Sequence, residues 1–422
     1  MRIEKRAMQI RPNSLGFTLL LGALAALPPL AIDMGLPALA AIGTSLNAPP
    51  AATGLTLSLF MAGFAIAQLI FGPVSDRYGR RPVLFIGCGV FALANVMCTI
   101  APSIHALILW RLIAGGGAGA AAVLEMAIVR DLFEGAAART QFSYINLVMS
   151  IAPMIAPTIG GLVLTIADWR SIYGVLAAGG LVLVGAIAIG FEESIARRDR
   201  SAIVPCRLIG NYLRVLSNRI CVGYALVNAL SFGCMFAYVA GSPLILIQVL
   251  DISTTLYGWF FAATAFAIMA GSFLNGRLSI RGVSPSRLLK VGLTLAVVSA
   301  IALVLVSISN HVRVITLLPL LVLNTFCFGL ITPNTKHGAL QPLPEVAGVA
   351  AAVLGFTQML LGGTFASALV AFLYDRRTAT AMTGVMTLFA LAAIAAHTII
   401  VRPAEKRIDR ASFNHYSNRQ KT

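Results

Sequence analysis

The chain has 422 residues, of which 58% are hydrophobic and only 11% are charged, and its mean hydropathy is +0.88. A soluble domain carries about 25% charged residues, so this composition excludes a water-soluble globular fold and indicates an integral membrane protein. The formal net charge is +16. The basic residues lie between apolar runs and at the two ends, as orientation in a membrane requires. We therefore expect contact with membrane lipid and no binding of nucleic acid.

The cysteines and histidines argue against two kinds of site. The six cysteines form no CxxC pair and fall mostly inside apolar runs, which predicts buried small side chains instead of a disulfide framework. The five histidines are scattered without metal-ligand spacing. Since no nucleophile lies beside a base either, we expect no metal, no cofactor and no enzymatic activity.

Twelve apolar runs have the length that spans a hydrocarbon core of about 30 Å. The first six predicted spans are 15–41, 54–73, 83–101, 104–128, 141–166 and 171–190. The second six are 220–247, 256–276, 287–309, 314–335, 346–372 and 380–401. The pattern predicts an all-α membrane protein with twelve transmembrane helices, the first of them an uncleaved helix and not a signal peptide.

Span 1 contains one acidic residue, Asp33, close to Pro28, Pro29 and Pro37. A carboxylate in hydrocarbon costs at least ~2.5 kcal/mol, so we expect Asp33 to face the bundle interior or a water-filled cavity. There it is a candidate for loading and releasing protons. The prolines loosen the backbone beside it, as in transporter helices that line a cavity. The alternative is a residue near the interface whose side chain reaches water.

A short segment with one acid and three arginines, Gly72–Pro82, separates spans 2 and 3. It predicts a tight basic turn at the cytoplasmic face. The carboxylate of Asp76 is placed to accept hydrogen bonds from a helix N-terminus or an arginine. We expect pairs in this layer to latch one state of the protein; the alternative is a solvated basic loop. The candidate residues are Gly72, Asp76, Arg77, Gly79, Arg80 and Arg81, with Arg130 and Asp131 after span 4.

Span 4 carries Arg111 and Glu125. Arg111 lies at a depth similar to that of Asp33 and needs a partner in the membrane, so we expect the two to pair; the alternative is an arginine bound to backbone carbonyls. Glu125 lies about 21 Å further along the helix. It is either a second protonation site or an interfacial partner of Arg130 or Arg139.

Span 5 contains Pro153, Pro157, Gly160 and Gly161 in one short stretch. Two prolines four residues apart leave backbone carbonyls unpaired and kink a helix, and the glycines remove side-chain bulk. The pattern favours a sliding interface with a partner bundle, although ordinary membrane packing also uses proline and glycine.

The longest polar interval, Glu192–Arg219, divides the chain into near-equal halves. It predicts two six-helix bundles joined by a basic linker. The predicted units are 1–191, 192–219, 220–401 and a tail, 402–422. Lys and Arg accumulate on the side of the linker, whereas the opposite loops hold only Arg170, Arg313, Arg376 and Arg377. This asymmetry predicts that both termini are cytoplasmic.

The second half has few acids within its spans but several amides and aromatic rings. Such groups together suit an apolar or weakly polar organic substrate, and interhelical packing is the alternative. The candidate cavity residues are Asn228, Phe232, Phe236, Tyr238, Asn324 and Gln358.

Together these motifs resemble the major facilitator superfamily, in particular the drug:proton antiporters with twelve helices of the Bcr/CflA (bicyclomycin/chloramphenicol-resistance) subfamily. The matching stretches are Leu27–Met34, Leu36–Leu39, Gly72–Pro82, Arg111 with the glycines after it, Ile128–Phe133, the Pro/Gly string of span 5, Asp168–Arg170, Ser242–Pro243, Tyr257–Gly258 and Leu340–Pro344. The resemblance implies that Asp33 handles protons or substrate, that Arg111 takes part in proton transfer, and that Asp76 belongs to a gating loop. The chain departs from the family pattern in two places: Gly35 stands where Tyr is usual, and Glu125-Met126 stand where Ala-Arg is usual.

The resemblance implies a proton-coupled multidrug efflux antiporter that exports hydrophobic, chloramphenicol- or bicyclomycin-like compounds by alternating access. Its partners would be the drug-like substrate, protons and membrane lipid, with the proton gradient as energy source and no cofactor. We expect a monomer in the bacterial inner membrane. The alternative is a transporter of the same fold that exports or imports a cellular metabolite such as an amino acid, a sugar or a siderophore.

Overall fold

A computed structural model describes residues 12, 14–195, 198–199, 201–309, 312–374 and 378–405. Several residues used in the sequence predictions lie outside these ranges: the N-terminal residues 1–11 and 13, Arg197, Arg200, His311, Arg376, Arg377 and most of the predicted tail, 406–422.

The described residues form twelve helices long and apolar enough to cross a membrane, and no strand. The first six are α1 (Leu15–Ser45), α2 (Pro50–Tyr78), α3 (Arg80–Thr99), α4 (Ile104–Leu132), α5 (Gly135–Ile166) and α6 (Arg170–Gly190). A shorter helix, α7 (Pro205–Ser217), follows. The last six are α8 (Arg219–Val249), α9 (Thr254–Ile280), α10 (Pro285–Ile308), α11 (Val314–Leu340), α12 (Pro344–Leu373) and α13 (Thr380–Glu405). The predicted fold class is confirmed.

The structure corrects the predicted turn at Gly72–Pro82. α2 continues through Pro73 to Tyr78, α3 begins at Arg80, and Gly79 alone separates them. A proline inside a membrane helix is tolerated when neighbouring groups satisfy the backbone that it frees. Gly79 has φ +106°, a conformation that residues with a Cβ avoid. The charged side chains of this motif therefore lie on two helix ends and not on a loop.

The first span is also interrupted, where a single helix was predicted. Its first α-helical segment, Leu15–Asp33, ends two residues before a 3₁₀ turn at Leu36–Ala38, and α-helix resumes at Leu39–Ser45. Pro37 has no amide hydrogen to continue the α-helical ladder. Asp33 is thus the last residue of a helix segment, in the middle of the span.

The predicted polar linker is partly helical. α7 occupies Pro205–Ser217 and lies between the two halves of the chain. The domain boundaries drawn from the sequence stay predictions.

Glycine contacts bring helix backbones together in equivalent places of the two halves. A Cβ added at Gly63 or Gly115 would lie 2.0 Å from a backbone carbonyl oxygen of the other helix in the α2–α4 pair. In the α9–α11 pair, a Cβ added at Gly271 or Gly329 would lie 2.2 Å from a backbone carbonyl oxygen of the other helix. Small residues allow such approach between membrane helices. Each half is therefore built around one tightly packed helix pair.

The two halves contact each other along two further helix pairs. On α2 and α12 the hydroxyl oxygens of Ser58 and Ser367 are 2.7 Å apart and buried. On α5 and α9, a Cβ added at Gly258 would lie 2.4 Å from the Thr158 hydroxyl oxygen. Both contacts lie nearer the side opposite the linker. They form the seam between the halves.

We predict that Gly115→Val prevents stable folding, because the added atoms would overlap the backbone of Phe60. Overpacking of a close contact costs about 1–3 kcal/mol or more. Gly116 provides the matched control, since a Cβ added there meets nothing within 4 Å. Thermal unfolding of both detergent-solubilised variants measures the difference. A Gly115→Val protein as stable as Gly116→Val would contradict the close helix packing.

Candidate functional site

The carboxyl of Asp33 is buried at the junction of the two halves, with 5% of the residue exposed. Its chain neighbour Met34 lies against α5, whose Gly161 approaches Thr254 of the second half: a Cβ added at Gly161 would lie 3.4 Å from that residue. α5 passes directly against the break in α1, since a Cβ added at Gly160 would lie 2.1 Å from the Met34 carbonyl oxygen. Asp33 thus faces the protein interior, as predicted, and its side chain does not reach water at the interface.

Arg111 is buried beside the same break, but its contacts differ from the predicted ones. Its Nη2 donates to the carbonyl oxygen of Ala31 at 3.0 Å, and its Nε donates to that of Thr56 at 3.4 Å. The guanidinium lies over the ring of Phe60, 4.3 Å from the centroid, and 5.6 Å from that of Tyr173.

The predicted pair between Arg111 and Asp33 is wrong for this structure. Within the described ranges, no ion pair within 4.0 Å includes either residue. The reason is local: α1 breaks after Asp33, so the Ala31 carbonyl has no amide four residues on in the same helix and accepts from Arg111 instead. The cation is therefore held by carbonyls and rings, as the alternative proposed, and leaves the carboxyl without a countercharge.

Glu125 is buried further along α4, with 2% of the residue exposed. Its Oε2 has no hydrogen-bond partner within the described part of the chain. Neither Arg130 nor Arg139 forms an ion pair with it there. The structure therefore does not show the interfacial ion pair that was the alternative for Glu125. A role of Glu125 in protonation stays a prediction.

The Pro/Gly motif of α5 lies against both halves. Pro153 and Pro157 are inside one uninterrupted helix, Gly135–Ile166. Gly160 contacts the break in α1, and a Cβ added at Gly161 would lie 3.4 Å from Thr254 of α9. The motif thus occupies the interface at which a sliding contact was predicted; the sliding itself stays a prediction.

Arg80 joins two carboxylates at the ends of α2, α3 and α4. Its Nη1 is 2.6 Å from Asp76 Oδ1, its Nε is 2.8 Å from Asp131 Oδ2, and its side chain is only 8% exposed. The backbone amide of Arg80, at the start of α3, donates to Glu193 Oε1 at 2.7 Å. The amide of Asp199 donates to the Asp76 carbonyl oxygen at 3.0 Å. The carboxylate of Asp76 accepts from an arginine as predicted.

This network fastens the start of the linker to the first half. The partners described for Asp76, Arg80 and Asp131 belong to the first half and the linker. That such pairs latch one state of the protein stays a prediction. Other residues of the motif make smaller contacts. Arg81 Nη2 donates to the Ala188 carbonyl oxygen at 2.8 Å, Arg77 lies 5.4 Å from the ring centroid of Tyr78, Arg130 is exposed, and a Cβ added at Gly72 would meet nothing within 4 Å.

The predicted cavity residues of the second half fall into two groups. Asn228 donates to Gln358 Oε1 at 2.8 Å, and the rings of Phe232 and Phe236 stack with centroids 5.3 Å apart. Asn324 is different: its amide nitrogen is 2.9 Å from the Ser299 hydroxyl oxygen on α10. It fastens helices within the second bundle, so we remove it from the cavity set.

Tyr238 belongs to a buried hydroxyl cluster that the sequence analysis did not assemble. Its hydroxyl oxygen is 2.9 Å from that of Thr264, and the Tyr257 hydroxyl oxygen is 3.1 Å from that of Ser242. The ring of Phe261 packs against both tyrosines. The sequence signal that could have indicated this cluster is the stretch Ser242–Gly258, which contains two of the stretches that match the family.

These features define a class of protein: a multi-pass membrane transporter with a buried carboxyl between two six-helix halves. The model of the Major Facilitator Superfamily matches residues 19–367. The chain belongs to this superfamily.

Relatives and a solved structure agree with this assignment. An uncharacterized MFS-type transporter YdgK of Bacillus subtilis is 34% identical, over 82% of this chain and 87% of its own. A bicyclomycin resistance protein homolog of Haemophilus influenzae is 29% identical, over 85% and 90%. Multidrug resistance protein D of Escherichia coli is 28% identical, over 85% and 89%. A bacterial homolog of the human lysosomal transporter Spinster has the same fold, with a TM-score of 0.73, 13% identity and coverage of 93% and 98%.

We predict that Arg80→Gln destabilises the protein by about 2 kcal/mol, because it removes charge-assisted hydrogen bonds and leaves two carboxylates without their cation. Arg81→Gln is the matched control and should stay within about 0.5 kcal/mol of the parent, since its side chain makes one exposed contact. Denaturant unfolding of the purified variants compares the two. Equal stabilities would show that the network is fully solvated and contributes nothing.

Proposed function

We propose that this protein is a proton-coupled antiporter that exports hydrophobic drug-like compounds. The observation that carries the proposal is Asp33: a carboxyl buried at the seam without a countercharge in the described structure. The names of the bicyclomycin and multidrug resistance relatives support the drug-like substrate. The aromatic and amide groups around Asn228 and Phe232 suit a weakly polar organic molecule.

The proposed mechanism uses the cost of burying charge. A carboxyl group enclosed in apolar surroundings without a cation is stabilised by binding a proton. When the halves separate around Asp33, water reaches the group and the ionised form gains solvation. Binding of a proton therefore favours the state with the seam closed, and release of the proton favours the state with the seam open. The coupling requires only a few kcal/mol of differential stabilisation between two orientations.

Orientation in the membrane is part of the proposal. The basic residues of the linker and of the α2, α3 and α4 ends favour the cytoplasmic side for both termini. With this orientation the protein would lie in the bacterial inner membrane and work as a monomer, using the proton gradient directly.

We predict that Asp33→Asn abolishes coupling while the protein stays folded, because the amide has nearly the same shape but does not titrate. The measurement uses everted membrane vesicles with a respiration-driven pH gradient. Chloramphenicol or another hydrophobic drug is added, and substrate-induced proton release is followed. Asp168→Asn is the control, since this acid is 57% exposed just after the end of α5 and its pair with Arg170 is a weak surface pair.

The other outcomes of this experiment separate the parts of the proposal. Proton release that survives in Asp33→Asn would contradict the role of Asp33 and direct the same test to Glu125. An unmodified protein that responds to no drug would contradict the drug substrate and favour the metabolite alternative.

We also predict that a disulfide between the halves stops transport. In the double variant Ser58→Cys with Ser367→Cys, the thiols replace hydroxyl oxygens that are 2.7 Å apart, which is close enough for a bond. Oxidation should arrest drug-induced proton release, and reduction should restore it, because alternating access requires this seam to open. Each single variant should be insensitive to oxidant. Full transport by the cross-linked protein would exclude opening at the seam.

A further inference from the structure

Helix α7 presents an apolar face that nothing in the described structure covers. Ile209, Leu213 and Leu216 are 56%, 59% and 54% exposed. Their spacing of four and then three residues places them on one side of the helix. Three large apolar side chains on one exposed side of a helix are the mark of a surface that is covered in the working protein.

Other sides of α7 fix its position. The Tyr212 hydroxyl donates to the Leu69 carbonyl oxygen of α2 at 2.9 Å, and Val215 is fully buried in an apolar cluster with residues of α8. Burial of the Tyr212 phenol raises its pKa above the ordinary value. Arg214 forms an ion pair with Glu345 at the start of α12. The helix is therefore held by contacts with α2, α8 and α12.

The docking point on α2 lies within a helix that is long and apolar enough to cross a membrane. Leu69 is nine residues before the end of α2, or about 14 Å along the helix. Its neighbours Ile66 and Ile70 are exposed apolar residues of a transmembrane span, so this part of α2 faces lipid. The apolar row of α7 is thus continuous with the lipid-facing surface of α2.

The charges of α7 complete the pattern. Arg207 and Arg214 lie seven residues apart, on a face distinct from the apolar row, and both are 55% exposed. Arg219 follows at the start of α8 and is exposed. The nearest acid before the helix is Asp199, which pairs with Arg207 at 2.7 Å and also accepts from Ser201. An apolar face beside exposed arginines is the composition of helices that lie in the headgroup layer of a bilayer.

We propose that α7 is an interfacial membrane helix: Ile209, Leu213 and Leu216 enter the acyl-chain region of the adjacent leaflet, and the arginines bind anionic phospholipid headgroups. An arginine near an anionic surface is attracted to it, whereas an exposed pair with a carboxylate contributes little, so the lipid competes with these pairs. This surface is separate from the proposed transport site. The proposal that α7 lies in the headgroup layer does not depend on whether Asp33 carries protons.

The protein contains its own reporter for a test. Cys206 lies on the same face as Leu213, and it is the exposed cysteine of the chain, since the other five are buried. An environment-sensitive fluorophore attached to Cys206 in the full-length protein reports the surroundings of α7. The labelled protein is placed in nanodiscs of phosphatidylcholine alone or of phosphatidylcholine with phosphatidylglycerol. Quenching by iodide in water is compared with quenching by lipids that carry a nitroxide on the acyl chain.

We expect strong quenching by the nitroxide lipid and iodide quenching reduced about threefold relative to the free dye–thiol adduct. Phosphatidylglycerol should reduce iodide quenching further. Leu213→Asn with Leu216→Asn should restore iodide quenching, whereas Ile280→Asn, an exposed apolar position at the end of α9, should not. Arg207→Gln with Arg214→Gln should remove the effect of phosphatidylglycerol.

Two results would overturn the proposal. A probe quenched by iodide as fully as the free adduct, and not by the nitroxide lipid, would place α7 in water. Equal signals with and without phosphatidylglycerol would exclude anionic headgroups as its ligands. Elution of each variant as a monodisperse peak in size-exclusion chromatography separates these results from misfolding.

Discussion

The contacts of Arg111 hold the centre of the first half together. Burying an arginine in the membrane costs ~2.5–3.5 kcal/mol even on insertion scales, so specific partners must offset this free energy. Those partners come from three helices: the Ala31 carbonyl of α1, the Thr56 carbonyl and Phe60 ring of α2, and the Tyr173 ring of α6. A cation over a desolvated ring gains about 2 kcal/mol or more.

This arrangement determines the state of the neighbouring carboxyl. The hydrogen bonds of Arg111 go to backbone carbonyls, and Asp33 makes no ion pair within the described residues although it lies in the same region. The break in α1 produces both effects, since it exposes the Ala31 carbonyl to Arg111 and ends a helix segment at Asp33. The proposed proton site thus depends on where a backbone hydrogen bond is missing, and not on a charge pair.

Much of the fold follows directly from the sequence. Twelve apolar runs predict twelve spans because length and hydropathy alone decide insertion. The burial of Asp33 was predictable from the cost of a charge in hydrocarbon. The partners of Arg111 were not, since a free carbonyl appears only when the three-dimensional break in α1 is known. The helical path through Pro73 and the interhelical role of Asn324 also depend on neighbours that a linear pattern does not contain. The spacing of Ile209 and Leu213 is that of one helix face, but the basic residues around them led to the prediction of a polar linker.

The attachment of α7 to both halves has a mechanical consequence. Tyr212 holds it to α2 of the first half, while Arg214 and Val215 hold it to the second. In the proposed alternating-access mechanism the halves rotate, and α7 would then release one of these contacts or move through the headgroup layer. The work of that movement depends on how tightly the lipids are packed. The turnover of this protein is therefore expected to vary with the lateral pressure and thickness of its bilayer, even at a constant proton gradient.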